Sequence, residues 1–332
     1  MQPPGQIAEA TPLRALALRE MPTSLHFRRD HFAVPRREPG AWTLDVDGRR
    51  LSLADLRRLP KRTQPVVLQC AGDRRSEYQP PTRGVPWSLG AVSEATWSGA
   101  ALRDVLAFAG TRRAPYVVLE GADGGCVEGG QGQVHFARAL RADKALHQDT
   151  LLAWEMNGQP LPVEHGAPLR AVVPGWYATD SVKWLERISL LDEPFDGHFE
   201  VSDYRLQTEE GQRGVRLTRL PVTSLLTSLA DGDILQAGST CLQGVAWGGD
   251  HGVARVDVDI DREGWRSAEL EAPSSQYSRT FWQLPWSAKP GVHTLRVRAT
   301  DGAGSQQPDT PVWNVRGFAN ASVHRVTVAV RG

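Results

Sequence analysis

The segment Leu68-Gln-Cys-Ala-Gly-Asp-Arg-Arg-Ser-Glu77 sets one thiol, Cys70, beside two adjacent guanidinium groups, Arg74 and Arg75. Fixed positive charge biases a thiol toward thiolate, which makes it a nucleophile or a soft metal ligand. A cysteine with no such role would be a small buried hydrophobe beside a solvated basic turn. Arginine stays charged at any working pH and presents forked donors that match oxyanions. The residues alone leave both readings of Cys70 open, with an anion-binding group beside it. His26, Arg28, Arg29 and His31 form a second concentration of charge, for which a solvated face is the ordinary explanation. His165 and Arg170 flank Gly-Ala-Pro-Leu in an apolar run, where such a pair is usually structural, and a lone tyrosine such as Tyr204 ordinarily packs with its hydroxyl satisfied.

These groups need elements to hold them. Val66, Val67 and Leu68 follow a proline and predict a short buried strand, which Ala71-Gly72-Asp73 ends, so Cys70 stands at a strand tip. Trp42 to Gly48 alternates and closes on Asp-Gly, predicting a strand and a tight turn. Ser52 to Pro60 predicts a capped short helix. Ser98 to Gly110 predicts a longer one, with Leu102, Val105, Leu106 and Ala109 on one face. The glycine-rich stretch Glu120 to Gly132, which contains Asp123 and Cys126, carries neither Gly-Lys-Ser/Thr nor dinucleotide spacing, so a nucleotide loop is excluded and a long loop is predicted. Leu152 to Leu191 is apolar with Pro and Gly punctuation and predicts several buried strands.

Beyond a polar, basic linker over Gln207 to Leu220, apolar residues alternate with polar ones: Ala254, Val256, Val258 and Ile260, then Leu295 and Val297, then Val326, Val328 and Val330. Asp231-Gly232, Glu263-Gly264, Pro290-Gly291 and Asp301-Gly302 punctuate them, which predicts an immunoglobulin-like β-sandwich. The expected division is an arm over the surface (1–24), a mixed α+β domain (25–215) and the sandwich (216–332).

The chain has 332 residues, enough for two domains. Lys+Arg and Asp+Glu both total 38, so neither a nucleic-acid footprint nor a membrane-surface patch is indicated. No apolar run approaches the roughly 18 residues of a membrane span. Met1 to Ala10 shows neither an apolar signal core nor a twin-arginine segment, which predicts a cytoplasmic protein as written, or a periplasmic one if a leader was removed. Cys70, Cys126 and Cys241 are too few and too widely spaced for a disulfide framework or a Cys-x-x-Cys metal site.

The Leu68–Glu77 segment resembles the signature of the sulfite oxidase family of molybdenum enzymes, which usually has Asn where this chain has Asp73. In the family's order follow Gly90-Ala-Val-Ser-Glu-Ala-Thr-Trp-Ser-Gly-Ala100, Glu155-Met-Asn-Gly-Gln-Pro-Leu161, Val172-Val-Pro-Gly175, Val182-Lys-Trp-Leu185, Trp313-Asn-Val-Arg-Gly317 and His324-Arg-Val326. The resemblance runs from about Phe27 to Val330 and fits a haem-less bacterial-type or plant-type member. It implies a molybdopterin-binding domain followed by a sandwich domain that forms a homodimer. It also implies a molybdenum cofactor with Cys70 as metal ligand, and Arg29, Arg75, Trp87, Tyr204 and Arg316 around a small oxyanion. Arg29, His31, Asp123, His165, Arg170, Ser181 and Lys183 would contact the cofactor.

The activity so implied is sulfite oxidation to sulfate, with electrons passed to an external acceptor: a cytochrome, another carrier or dioxygen. No Cys-x-x-Cys-His haem motif is present. Nitrate reductases and sulfane dehydrogenases share the family, and a non-catalytic anion-binding scaffold is the reading of another class. One departure lies near the expected cofactor site. Animal and plant members have Arg two residues before Val-Lys-Trp-Leu, where this chain has Asp180, which predicts altered pterin phosphate contacts.

Overall fold

The β-branched and alternating runs of the chain pair into sheets, and an edge strand of one of them ends at the Cys70 turn. A computed structural model describes residues 6–36, 42–127 and 132–332. In the first unit, the strand Lys61–Gln69 lies at the edge of a sheet that continues through Val92–Ala101 and Leu151–Met156 to Gln159–Pro160, with Arg170–Val172 also paired to Leu151–Met156. A second sheet runs Arg49–Leu51, Leu44–Val46, Leu185–Leu191, Tyr116–Cys126, Gln133–Arg141. An edge position suits Lys61–Gln69 because Pro65 has no N–H to give a further strand. The outer side of that edge is covered by the second unit, where the Tyr277 carbonyl accepts from Val67 N–H at 2.8 Å.

Local chemistry explains most short elements. Asp47 and Gly48 adopt positive φ (50° and 89°) in the two-residue turn of the Leu44–Leu51 hairpin. Ser52 and Asp55 form a reciprocal capping box on the helix Leu53–Leu56. The helix expected from Ser98 begins only at Leu102, because Ser98 to Ala101 continue the strand Val92–Ala101. Tertiary packing overrides helical periodicity there: Gly99 lies against the Leu152 carbonyl, with which a Cβ would collide. The expected surface arm is built into the fold from residue 6 onward. Ile7–Glu9 pairs with Arg28–Asp30, and Leu16 is fully buried.

The second unit is a sandwich of a four-stranded sheet, ordered Thr223–Leu226, Gly238–Trp247, Thr280–Ala288, Glu269–Leu270, and a five-stranded sheet, ordered Ile234–Gln236, His324–Arg331, Gly291–Thr300, Arg255–Ile260, Trp265–Ser267. Its alternating residues meet inside: Val256, Val258, Leu295, Val297, Val326 and Val328 form one cluster with Trp282 and Trp286. The core of the first unit also continues across the junction to Leu225, Val245, Trp247 and Phe318. Polar ties accompany it, with the Leu16 carbonyl accepting from Arg279 Nη1 at 2.5 Å and the Phe318 carbonyl from the Tyr78 hydroxyl at 2.7 Å.

His324 stands behind this junction, where its Nδ1 accepts from Leu226 N–H at 3.1 Å. Burial, with the Arg74 charge adding to it, pushes its pKa down to about 3. An unfolded chain binds a proton at this position below about pH 6.5, which the folded chain refuses, so His324 lowers stability as pH falls through that window. Between pH 7 and pH 5 the parent should lose about 2 kcal/mol more stability than His324→Asn, which keeps an acceptor without a titrating ring. Urea unfolding of both proteins at the two pH values checks this, and equal losses would refute it.

Candidate active site

Cys70 directly follows the strand Lys61–Gln69, and a closed set of bonds fixes its turn. Cys70 N–H donates to the Ala91 carbonyl at 2.8 Å, and Asp73 N–H to the Cys70 carbonyl at 3.1 Å. Ala91 N–H returns to Asp73 Oδ1 at 2.8 Å. Gln69 Nε2 donates to Asp73 Oδ2 at 3.2 Å, and Trp247 of the sandwich donates to Gln69 Oε1 at 3.0 Å. Asp73 is thus a buried structural acceptor, and burial pushes its pKa up to about 6.

The two arginines that follow separate in space. Arg74 takes left-handed backbone (φ 60°), grips Glu77 at 2.8 and 2.7 Å and donates to the Ser322 carbonyl at 2.5 Å, so it ties the domains together. Arg75 donates to the Arg316 carbonyl at 2.9 Å and the Val85 carbonyl at 2.7 Å, with its guanidinium 5.1 Å from the Phe318 ring centroid. Glycines sheathe it: a Cβ on Gly72 would strike its Nη2, and one on Gly84 or Gly317 would stand 2.8 Å from its Nη1 or 2.9 Å from its Cγ. The thiolate expected from the sequence is not favoured in the bare protein. Burial pushes the Cys70 thiol up, and the Gly72 backbone with Arg75 and Arg29 offsets this only in part. A cation bound at the sulfur would reverse the balance.

A pocket with a cavity of about 70 Å³ opens beside Cys70, and Arg29, His31, Asp123, His165, Arg170, Ser181, Lys183 and Tyr204 line it with the thiol. Arg29 to His31 arrive on the strand Arg28–Asp30, where Arg29 Nη1 donates to the Asp30 carbonyl. Asp30 is buried between Arg28 and Lys183 and accepts from both. Burial brings Lys183 down to about 8, and Asp30 restrains the fall. Arg170 is anchored on the carbonyls of His165 and Ser181, both at 3.0 Å, with its guanidinium 4.7 Å from the Trp97 ring centroid, and burial lowers it to about 9. Burial and then Arg170 and Lys183 depress His165 to about 4, so its ring is neutral. Ser181 Oγ accepts from Val173 N–H at 3.0 Å.

Asp123 owes its position to a β-bulge. Where a long loop was expected over residues 120–132, residues 120–126 are strand, because Tyr116–Cys126 pairs with Gln133–Arg141 and glycines spare the cross-strand space; residues 128–131 lie outside the described residues. The register slips between Glu120 and Gly124, and a bulge re-aims the residue it holds. Asp123 Oδ1 is buried without a hydrogen-bond partner, and burial lifts the acid to about 7. His26, also on the pocket wall, has Nδ1 3.0 Å from the Phe27 carbonyl and a buried Nε2 with no partner. Tyr204 has φ of 46°, and its hydroxyl lies 2.6 Å from His31 Nε2. Burial keeps both in their neutral forms.

Other nominated residues stand apart from the pocket lining. Trp87 is buried in the apolar cluster of Phe27, Leu68 and Cys70. Arg316 is 42% exposed, with Nη2 donating to the Ser202 carbonyl at 3.3 Å and Nη1 4.0 Å from Asp203. Asp180, expected to alter phosphate contacts, is fully buried and faces Arg138 and Arg216 instead. Cys126 is exposed and Cys241 half-buried. His26, Asp30, Phe136 and Thr179 line the pocket without having been nominated. His26 and Asp30 share the charged segment with Arg29 and His31, a signal the sequence did hold; Phe136 and Thr179 left none.

The arrangement suits an anionic ligand that also offers hydrogen-bond donors to Asp123 and His26. Among the described residues no group of three or more His, Cys, Asp or Glu side chains is set to hold a metal ion. A metal here would take Cys70 as its protein ligand and bring other ligands with it.

Residues 31–199 match the oxidoreductase molybdopterin binding domain, and residues 215–331 the Mo-co oxidoreductase dimerisation domain. The chain is 38% identical to the mitochondrial sulfite oxidase of Mus musculus, an alignment that covers 93% of this chain and 61% of that protein. It therefore spans about three fifths of the length of that relative. It is 32% identical to the sulfite oxidase of Arabidopsis thaliana, covering 92% of this chain and 87% of that one. Among solved structures, the sulfane dehydrogenase SoxCD from Paracoccus pantotrophus superposes with a TM-score of 0.84 at 23% identity, over 100% of this chain and 88% of that one, which shows the shared fold.

Thiol chemistry offers a check on the site. In metal-free protein at pH 7.5, iodoacetamide should modify the exposed Cys126 first, with Cys70 at least about tenfold slower because it is buried and protonated. Peptide mapping across a time course reads the order, and labelling of Cys70 as fast as Cys126 would contradict the burial described above.

Proposed function

The chain belongs to the sulfite oxidase family of molybdopterin oxidoreductases, and from that membership we propose that it oxidises sulfite to sulfate with a molybdenum cofactor bound beside Cys70. One observation carries the reading: a thiol at a strand tip opens on a pocket walled by Arg29, Arg170 and Lys183, while a fourth cation, Arg75, is sheathed behind its turn. When bound, the molybdenum on its pterin dithiolene supplies the two-electron oxygen-atom transfer that side chains cannot perform.

The residues present fit such a group. Cys70 offers the soft sulfur that the metal takes. Arg170 and Lys183 offer positive charge to an anionic pterin, with Ser181, His165 and His31 beside them. The orphaned acceptor Asp123 Oδ1 suits a donor on a pterin ring. Arg75, Arg316 and Arg29 would draw the sulfite dianion toward the sulfur side of the site, since guanidinium charge does not titrate in the working range. Tyr204, neutral and hydrogen-bonded to His31, would orient substrate or product through its hydroxyl. Trp87 would back the site from behind Cys70 and Leu68, in the apolar cluster it shares with them.

Electrons would leave to a separate acceptor, and the match to a dimerisation domain supports a homodimer formed through the sandwich. Among the described residues no helix is long and apolar enough to cross a membrane.

Molybdenum-loaded protein should reduce ferricyanide in the presence of sulfite and leave nitrate unreduced; absence of sulfite turnover in a fully loaded sample would dismiss the proposal. Cys70→Ser should remain folded yet lose more than about a hundredfold in turnover, since even partners beyond the ligands of a metal cost 10–100-fold. Gly317→Ala, at a φ of 57°, would put a Cβ first against Thr82 Oγ1 and then 2.9 Å from Arg75 Cγ, which displaces the Arg75 side chain. It should raise the sulfite KM about tenfold, a loss of one charge-assisted hydrogen bond, and steady-state kinetics with unchanged KM would show that Arg75 does not meet substrate.

A further inference from the structure

Behind Tyr204 lies a closed ring of four alternating charges that the activity described above does not explain. Arg138, fully buried, donates through Nε to Asp180 Oδ1 at 3.1 Å and stands 3.2 Å from Glu200 Oε2. Arg216 closes the ring, with Nη2 2.7 Å from Asp180 Oδ1 and Nε 2.6 Å from Glu200 Oε1. The members come from four segments: the strand Gln133–Arg141, the turn Ala178–Asp180, the helix His198–Val201 and the strand Val215–Arg216. Buried charges are tolerated only in such mutual compensation, so removal of one leaves an excess on its partner.

The ring meets the site through one ring face. The Arg138 guanidinium lies 5.6 Å from the Tyr204 ring centroid, and that ring stacks on Phe318 at 5.4 Å and 19°. Arg138 Nη1 also donates to the Phe199 carbonyl, and Arg205 Nη1 to the Glu200 carbonyl at 3.0 Å, so both ends of the short connection that leads into Tyr204 are held. Tyr204 itself sits in left-handed backbone, which a bulky residue keeps only when its surroundings impose it.

We propose that Asp180 is a positioning residue: by fixing Arg138 it sets the place of the Tyr204 ring and the 2.6 Å contact between the Tyr204 hydroxyl and His31. The departure from arginine at this position is then a device for aligning the tyrosine rather than a change in phosphate recognition. The inference rests on the reading that Tyr204 faces substrate.

The test is a double-mutant cycle of Asp180→Asn and Tyr204→Phe, read in two ways. In molybdenum-loaded protein, Asp180→Asn should raise the sulfite KM about tenfold with little change in kcat, and in the Tyr204→Phe background the same substitution should leave KM within about twofold. In molybdenum-free protein, the melting-temperature losses of the two substitutions should be non-additive, as expected of groups coupled through a shared partner, Arg138. Additive effects in both readouts overturn the proposal. Non-additive melting temperatures with a KM that Tyr204→Phe does not change would instead reject the placement of Tyr204 at the substrate, leaving the structural coupling intact. Should Asp180→Asn fail to fold, Arg138→Lys replaces it in the same cycle, since it keeps the charge and loses the fork that joins Asp180 to the Phe199 carbonyl.

Discussion

The constraint from which the rest of the structure follows is the burial of Arg74 and Arg75 on one turn beside a buried thiol. Guanidinium groups taken out of water need several acceptors each. Glu77 supplies two acceptors to Arg74 and Val85 one to Arg75, and the segment Arg316–Ser322 of the second unit supplies the rest. Arg74 takes the Ser322 carbonyl, and Arg75 the Arg316 carbonyl. Asn320 Nδ2 donates to the Arg74 carbonyl at 3.0 Å, and Ala319 N–H to the Ala71 carbonyl at 2.8 Å. The Cys70 turn is thereby completed only when both units are packed, so the site and the domain interface are one energetic object.

The pocket repeats the same logic with opposite emphasis. Arg170 and Lys183 are held deep in the first unit by backbone carbonyls and by Asp30, and aromatic faces of Trp97 and Trp184 lie beside them. Compensation is incomplete, as the lowered Lys183 and Arg170 values indicate, and the surplus positive potential is what an anionic ligand would relieve. The neutral His165 adds hydrogen-bonding capacity without charge, and the unpartnered Asp123 oxygen belongs to an acid that burial lifts to about 7, so it is partly protonated near neutrality.

The two departures from the family pattern differ in kind. Asp73 replaces an amide in a buried bond circuit, and its two oxygens accept from Ala91 and Gln69, so the circuit closes on acceptors alone. Asp180 is turned away from the pocket into the ring with Arg138, Arg216 and Glu200. Proximity in sequence to the cofactor segment Ser181–Lys183 suggested otherwise, but Asp180 ends the short helical turn Ala178–Asp180, and its carboxylate meets Arg138 and Arg216 from two other segments.

Much of the molecule was readable before any coordinates. Two-residue alternation after residue 220 is a local property, and it dictated the sandwich because each strand must bury one face. The apolar run Val66–Leu68 and the break after it placed Cys70 at a strand tip, and the family resemblance nominated Arg29, His31, His165, Arg170 and Lys183, which do line one pocket. What failed was decided by partners distant in sequence. Ser98 to Ala101 became strand because Leu151–Ala153 supplies its hydrogen bonds, and residues 120–126 of the glycine-rich stretch became strand because Gln133–Arg141 does the same. Whether a thiol beside arginines is thiolate depends on desolvation by neighbours that composition cannot count, and packing leaves Cys70 protonated in the bare protein. The sequence by itself therefore nominated the residues for the chemistry and determined the alternating strands of the sandwich. Only the tertiary structure decided which charges face the pocket and which neutralise one another out of sight, because Coulomb interactions and burial act through space and not along the chain.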